Sequence, residues 1–169
     1  MIRNFCKLMV ASAGMALTAS CSEVECPLDS VVVMTCDLKD ATTGGAFQLT
    51  DSLTIKPMGK DTIMLNRAQG ISSFVLPLKL GETTDTFLLR FADEWENVTT
   101  DTLILTHYNQ PHFESMDCPA TYFHTITDVA WKNQNKPALN IFIDTVTIKR
   151  ALVDYENTTN IQIYLRTTL

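Results

Sequence analysis

The chain has 169 residues, of which 46% are hydrophobic and 19% charged, so it can bury a core and is not disordered by composition. With 13 basic and 19 acidic residues it carries a net charge of −6. Nucleic-acid binding needs clustered Lys and Arg to neutralise phosphates, so this balance excludes DNA and RNA as expected partners. The length fits one domain, with or without a leader.

Residues 1–20 have the features of a signal peptide. Two basic side chains, Arg3 and Lys7, precede an uncharged run over residues 8–19. This run is shorter than the roughly 20 apolar residues that a spanning helix needs, so it does not predict a permanent membrane anchor. It ends in the sequence LTASC, which resembles the bacterial lipoprotein signal, in which the Cys is acylated after cleavage. We therefore expect lipidation at Cys21; a secreted protein with an ordinary Cys21 thiol is the alternative.

The positions of the five cysteines predict different roles for them. Of five Cys, Cys6 leaves with the leader and Cys21 carries the lipid on this interpretation. The cell envelope is oxidising, so the remaining three thiols permit one disulfide. Cys36 ends an apolar run that predicts a buried strand, where a thiol packs like a small hydrophobic residue. Cys26 and Cys118 each precede a proline near a predicted strand end, and we predict a bridge between them.

Apolar residues alternate with polar ones along most of the chain after residue 26. A period of two is typical of half-buried strands. The clearest runs are Phe47–Lys56, with a bend expected at Asp51-Ser52, then Phe74–Leu80, Phe87–Phe91, Leu139–Ile143, Val146–Ile148 and Ile161–Leu165. Pro77 predicts an edge strand for its run. Turn residues separate the runs at 43–45, 58–60, 80–82, 109–111 and 132–137.

This pattern predicts an all-β domain. It contains eight to nine short strands and no amphipathic helix of ten or more residues. An antiparallel β-sandwich is the expected fold, with a small β-barrel as the alternative. The predicted organisation is a signal peptide over residues 1–20, a lipidated tether over 21–25, and a single β-sandwich domain over 26–169.

Several segments resemble an uncharacterised lipoprotein family of Bacteroidota. These are Asp51-Ser52-Leu53-Thr54-Ile55, Leu76-Pro77-Leu78, His107-Tyr108, Pro111–Ser115, Asp117-Cys118, Ile143–Val146 and Asn160–Tyr164. The similarity covers most of the mature domain. Because the family is a domain of unknown function, the resemblance implies an envelope location and this fold, but supplies no activity.

A tripeptide of Asp, then Ser or Thr, then an apolar residue occurs six times. It resembles the O-glycosylation sequon used on envelope proteins of Bacteroidota, with one copy, Asp85-Thr86-Phe87, departing from it through Phe87. The glycosylation candidates are Ser30, Ser52, Thr62, Thr102 and Thr145. The structural alternative is that Asp caps a turn, the hydroxyl residue enters a strand and the apolar residue packs in the core.

The sequence predicts no metal site and no cofactor. His107, His112 and His124 span eighteen residues with Cys118, but their spacing matches no recognised zinc motif. Residues five apart on one strand point to opposite faces. His107 and His112 would therefore converge only if a turn at Asn109–Pro111 folded the chain back.

Three functions stay open. The first is a non-enzymatic cell-envelope lipoprotein at the outer membrane, on its periplasmic or surface face, which serves as an accessory or protein-interaction module. Its partners would be the membrane, through the lipid, and an envelope protein. The second is a glycan-binding surface lipoprotein that uses Trp95 and Trp131. The third is a hydrolase with a cryptic carboxylate or His site, which a deep polar pocket containing His107 and His112 would favour.

Overall fold

The computed structural model describes residues 32–116, 118–134 and 138–167. This part of the chain contains ten strands and no helix, and therefore no helix long and apolar enough to cross a membrane. The strands are β1 (Met34–Asp40), β2 (Ser52–Pro57), β3 (Leu65–Ala68), β4 (Ser73–Leu76), β5 (Thr84–Ala92), β6 (Val98–His112), β7 (Thr121–Lys132), β8 (Ile141–Ile148), β9 (Leu152–Val153) and β10 (Thr159–Thr167).

The strands form two sheets. The four-stranded sheet has the order β4-β1-β10-β8, and the six-stranded sheet has the order β3-β2-β5-β6-β7-β9. All pairs are antiparallel except β1 and β10, which run parallel. The predicted all-β sandwich is confirmed. The count of ten exceeds the expected eight to nine, partly because β3 and β9 are too short to show a period.

One continuous core lies between the sheets, because alternate side chains of the long strands point inward. In β5, for example, Phe87, Leu89 and Phe91 are buried while the residues between them are partly exposed. The four-stranded sheet contributes buried side chains such as Met34, Leu38, Ile143, Ile161 and Leu165. Burial of this apolar surface is the main favourable term in folding.

Two local expectations hold and two are wrong. The expected bend at Asp51-Ser52 is where β2 begins, and β4 is an edge strand that ends immediately before Pro77. The predicted turn at Asn109–Pro111 does not form, because β6 continues to His112 and Pro111 pairs with Tyr122 of β7. The prediction of two separate runs, Leu139–Ile143 and Val146–Ile148, is also wrong, because the single strand β8 covers most of the first run and all of the second.

Candidate functional site

Polar side chains point inward at the end of the six-stranded sheet where β5 begins. Asp85 precedes the buried apolar residues of β5, and His107 follows those of β6 in the same alternation. Asp85, His107 and His124 are all fully buried. Asn109 of β6 lies opposite His124 of β7 in the sheet register. We call these four residues the histidine cluster.

Asn109 is the centre of the histidine cluster. The two hydrogens on its Nδ2 are directed to the backbone carbonyls of Lys79, Leu80 and Glu82, at N···O distances of 3.1, 2.8 and 2.9 Å, so that two carbonyls share one hydrogen. This orientation turns Oδ1 towards the two histidines, 2.8 Å from Nδ1 of His107 and 2.7 Å from Nδ1 of His124. Because Oδ1 can only accept, both Nδ1 atoms carry hydrogens.

Asp85 holds the other side of His107. Its Oδ2 lies 3.0 Å from His107 Nε2 and accepts the backbone N–H of Lys79 at 2.9 Å. His107 therefore contacts Asn109 through Nδ1 and Asp85 through Nε2, so both of its ring nitrogens are used within the protein.

His124 is held neutral. Burial, with a smaller contribution from the nearby His107, lowers its pKa to about 4, and Asp85 acts in the opposite direction. The two rings meet edge to face with centroids 5.2 Å apart. With Nδ1 donating to Asn109, the neutral ring keeps an unprotonated Nε2.

His124 also lines a cavity of about 330 Å³. The other lining residues are Val32, Pro77, Leu78, Leu80, Ala120, Thr121 and Tyr122. Most of these side chains are apolar, and none is a Ser or Cys nucleophile. Within the described ranges no three His, Cys, Asp or Glu side chains group as metal ligands. The hydrogen bonds tie the β4–β5 connection to β6 and β7, which is a structural task.

His112 lies apart from the histidine cluster, at the surface end of β6. Its ring stacks on Phe123 with centroids 4.3 Å apart, and Tyr155 meets Phe123 edge to face at 5.1 Å. His112 Nε2 is 3.9 Å from Glu114 Oε1. The pocket shared by His107 and His112 that would favour a hydrolase is therefore not formed, because the expected turn between them is a continuous strand.

Asp101 is a second buried carboxylate that sequence reasoning missed as a functional group. Its Oδ2 accepts the backbone N–H of Ile143 at 2.7 Å, and its Oδ1 accepts that of Gln134 at 3.0 Å. Burial raises its pKa, and these two hydrogen bonds oppose the rise. Asp101 therefore links β6 of one sheet to β8 of the other.

The two tryptophans do not share a surface role. Trp95 is 75% exposed in the β5–β6 connection, where Asp93 accepts backbone N–H groups of Trp95 and Asn97 at 2.9 and 2.8 Å. Trp131 is partly buried and packs against the core. A joint platform of Trp95 and Trp131 for a sugar ring is therefore not present.

The outer face of the six-stranded sheet carries a groove that the sequence did not single out. Two cavities of about 370 and 390 Å³ adjoin there and share Thr100. This sheet groove is lined by four threonines (Thr54, Thr86, Thr100, Thr102), three cations (Lys56, Arg90, Lys132), one acid (Asp61), two amides (Asn133, Gln134) and four apolar residues (Met58, Ile63, Leu88, Ile104). In the register Lys56, Leu88, Thr102 and Lys132 form one row across the strands.

The glycosylation candidates differ in access. Ser52 is buried and its hydroxyl donates to the carbonyl of Ala92 at 3.0 Å, so the folded domain does not present it to an enzyme. Thr62 is exposed, and Thr102 and Thr145 are partly exposed. Ser30 lies outside the described residues. Asp101, which precedes Thr102, does not cap a turn but lies buried within β6.

The predicted lipidation and disulfide sites fall mostly outside the described residues. Cys21 and Cys26 lie there, so lipidation and the Cys26–Cys118 bridge stay predictions. Cys118 lies in the connection between β6 and β7. Cys36 is buried and free, as expected for a core thiol, and burial raises its pKa.

The match to a family model is the finding that places the chain among known proteins. Residues 52–165 match a family of unknown function, DUF6452. The chain belongs to DUF6452. The matched DUF6452 region runs from the first residue of β2 almost to the end of β10, and so contains the histidine cluster, Asp101 and the sheet groove. No curated protein and no solved structure matches the chain.

Proposed function

We propose that this protein is a lipoprotein of the cell envelope, of the kind found in Bacteroidota, anchored at the outer membrane through Cys21. It serves as an accessory module that binds another envelope protein and has no turnover of its own. The basic start, the short uncharged run and the LTASC sequence support the lipid anchor.

The sheet groove is the observation that carries the interaction role. It combines apolar side chains with a polar margin, which is the composition of protein interfaces. Lys56 and Lys132 lie in one cross-strand row, and Arg90 lies in the next row with Thr100. The groove holds three cations against one acid, Asp61, although Arg90 is also 3.4 Å from Glu96. In a chain with net charge −6, this local positive balance fits a partner surface that carries carboxylates.

The histidine cluster supports a role without turnover. Both ring nitrogens of His107 and the whole Asn109 amide are engaged inside the protein. A catalytic group must reach the substrate proton that it transfers, and His107 and Asn109 instead hold the β4–β5 connection. His124 keeps an unprotonated Nε2 beside the cavity of about 330 Å³, whose other lining residues include no Ser or Cys nucleophile. Its chemistry is that of a structural network.

A photo-crosslinking experiment tests the interaction role. A benzophenone amino acid at Thr100, shared by both halves of the sheet groove, should capture one envelope protein in intact cells. The matched control is the same amino acid at Gln162 in β10 of the other sheet. Failure to capture any protein through Thr100, or equal capture of the same proteins through Gln162, would contradict the proposal.

Glycan binding is the second candidate, and the side chains of the sheet groove favour it. Thr100, Thr102 and Gln134 provide hydrogen-bonding groups beside each other at one end. Sugar hydroxyls bind to such groups. In the same crosslinking experiment, a Thr100 adduct whose mass is lost on glycosidase treatment, rather than on protease treatment, would replace the protein partner by a glycan.

A further inference from the structure

The connection between β6 and β7 exposes two large apolar side chains. Phe113 is 64% exposed and Met116 is fully exposed, and they follow the end of the 15-residue strand β6. We call these two residues the apolar tip. A single exposed hydrophobic residue is ordinary. Two within four residues, at the end of the two longest strands, form a protrusion that suits a hydrophobic surface.

The described chain begins beside the apolar tip. Val32 lines the same cavity as Ala120 and Thr121, which lie where the β6–β7 connection returns to the sheet. Eleven residue steps separate Val32 from Cys21, at most about 40 Å of extended chain. A lipid on Cys21 would therefore hold Val32 within about 40 Å of the membrane.

The predicted disulfide shortens that distance further. Cys118 is two residues beyond Met116, and its predicted partner Cys26 is five residues from Cys21. Five residues reach at most about 18 Å. If the bridge forms, the chain between the lipid on Cys21 and the bridge beside the apolar tip is at most about 18 Å long.

We propose that Phe113 and Met116 insert into the interfacial layer of the phospholipid bilayer that holds the Cys21 lipid. The inference rests on the lipid anchor in the proposed function. A lipid chain and inserted apolar side chains together hold a protein more firmly than one signal alone. The contact would also restrict the rotation of the domain about its tether.

The surroundings of the tip fit a bilayer interface. His112, Phe123 and Tyr155 form an aromatic group where β6 ends and β7 begins. His112 and Tyr155 are partly exposed. Aromatic rings with polar atoms prefer the headgroup level of membranes. Glu114 lies between the two tip residues and disfavours an anionic surface, so zwitterionic headgroups are the expected ligand.

Labelling from within the bilayer tests the insertion. The full lipidated chain is placed in vesicles of phosphatidylethanolamine and phosphatidylcholine with a lipid-soluble diazirine, and the labelled residues are mapped by mass spectrometry after illumination. We expect label at Phe113 and Met116 at several times the level found at Met58 and Val75. The two controls are each 53% exposed and lie outside the β6–β7 connection, Met58 after β2 and Val75 in β4.

Binding without the lipid gives a second measurement. The Cys21→Ser chain should bind the same vesicles weakly, and adding Phe113→Ser should lower its partition coefficient about tenfold. The matched control, Val75→Ser in the Cys21→Ser chain, removes an exposed apolar side chain from β4 and should leave the coefficient unchanged.

The outcomes separate the insertion from the proposed function. A chain with the acyl mass on Cys21 but no excess label at the tip would overturn the insertion and leave the lipoprotein intact. A tip protected from label by a second copy or a protein, seen as a crosslinked species, would overturn it too. Absence of the acyl mass, measured before vesicles are added, would remove the basis of both.

Discussion

At the scale of single residues, His124 makes the stability of the domain depend on pH. Its ordinary pKa of 6.5 applies to the unfolded chain, and burial lowers the pKa in the folded chain to about 4. Between these values the unfolded state binds a proton that the folded state does not bind. Stability from this residue is therefore complete above pH 6.5 and is lost as pH falls towards 4.

Replacing His124 should flatten this dependence. Between pH 7 and pH 5 the wild type should lose roughly 2 kcal/mol more unfolding free energy than His124→Gln, since each unit of pKa shift corresponds to about 1.4 kcal/mol. Urea unfolding at the two pH values measures it. His112→Gln, at the surface end of the same strand pair, is the matched histidine control. Equal losses in wild type and His124→Gln would refute the assignment.

Part of the histidine cluster could be predicted from residue parity. His107 and Asn109 continue the inward alternation of Leu103 and Leu105, and His124 shares the inward face with Ile126. That signal marks buried polar residues within one strand. Which strands bring them together is set by the register between β5, β6 and β7, and a single sequence does not show it.

At the scale of elements, Asp101 is the clearest link between the two sheets. The Asp101 carboxylate accepts hydrogen bonds from the backbone N–H groups of Gln134 and Ile143. In Asp101→Asn, the amide NH₂ replaces one of the two accepting oxygens, so one of these N–H groups loses its acceptor. A buried donor left without an acceptor costs about 1–3 kcal/mol. We expect a loss of this size in unfolding free energy, measured by urea titration.

The neighbouring residue provides the control for Asp101. Thr102 is adjacent in β6 but faces the sheet groove, so Thr102→Val should change stability by less than about 0.5 kcal/mol. If both variants were destabilised equally, the loss would belong to β6 as a whole, and the Asp101 link between the sheets would be disproved.

The strand β6 shows why an element was predicted wrongly. Asn109-Gln110-Pro111 has the composition of a turn, yet the strand continues through it. The backbone N–H of His107 points towards β5 and donates to the carbonyl of Thr83. Backbone nitrogens an even number of residues apart point to the same side of a strand, so the nitrogen of Pro111 also points that way. β5 begins only at Thr84, so Pro111 lies beyond its end and its missing N–H breaks no bond between the strands. The end of the neighbouring strand is a tertiary fact that turn composition does not contain.

At the scale of the whole molecule, the period of two was enough to predict a sandwich but not its topology. The alternation reports that one face of each strand is buried, which is a local property. The parallel pair of β1 and β10 joins the two ends of the described chain, and the sheet groove depends on the order of β2, β5 and β6. Neither arrangement follows from local patterning.

The predicted Cys26–Cys118 bridge also acts on the whole molecule. In the chain-entropy model, closing so long a loop stabilises the fold by about 4–5 kcal/mol. Non-reducing peptide mapping of protein isolated from the envelope should find Cys26 linked to Cys118, with Cys36 alkylated only after denaturation because it is buried and free. A Cys36–Cys118 peptide, or three free thiols, would show that the pair is wrongly assigned.

Metabolic labelling with an alkyne fatty acid tests the proposed lipid anchor at Cys21. The wild-type chain should carry the label in the membrane fraction. The Cys21→Ser chain, produced at the same level, should carry none, because it lacks the thiol that is acylated. Equal labelling of the two chains, or no labelling of the wild type, would show that the protein is not anchored through a lipid on Cys21.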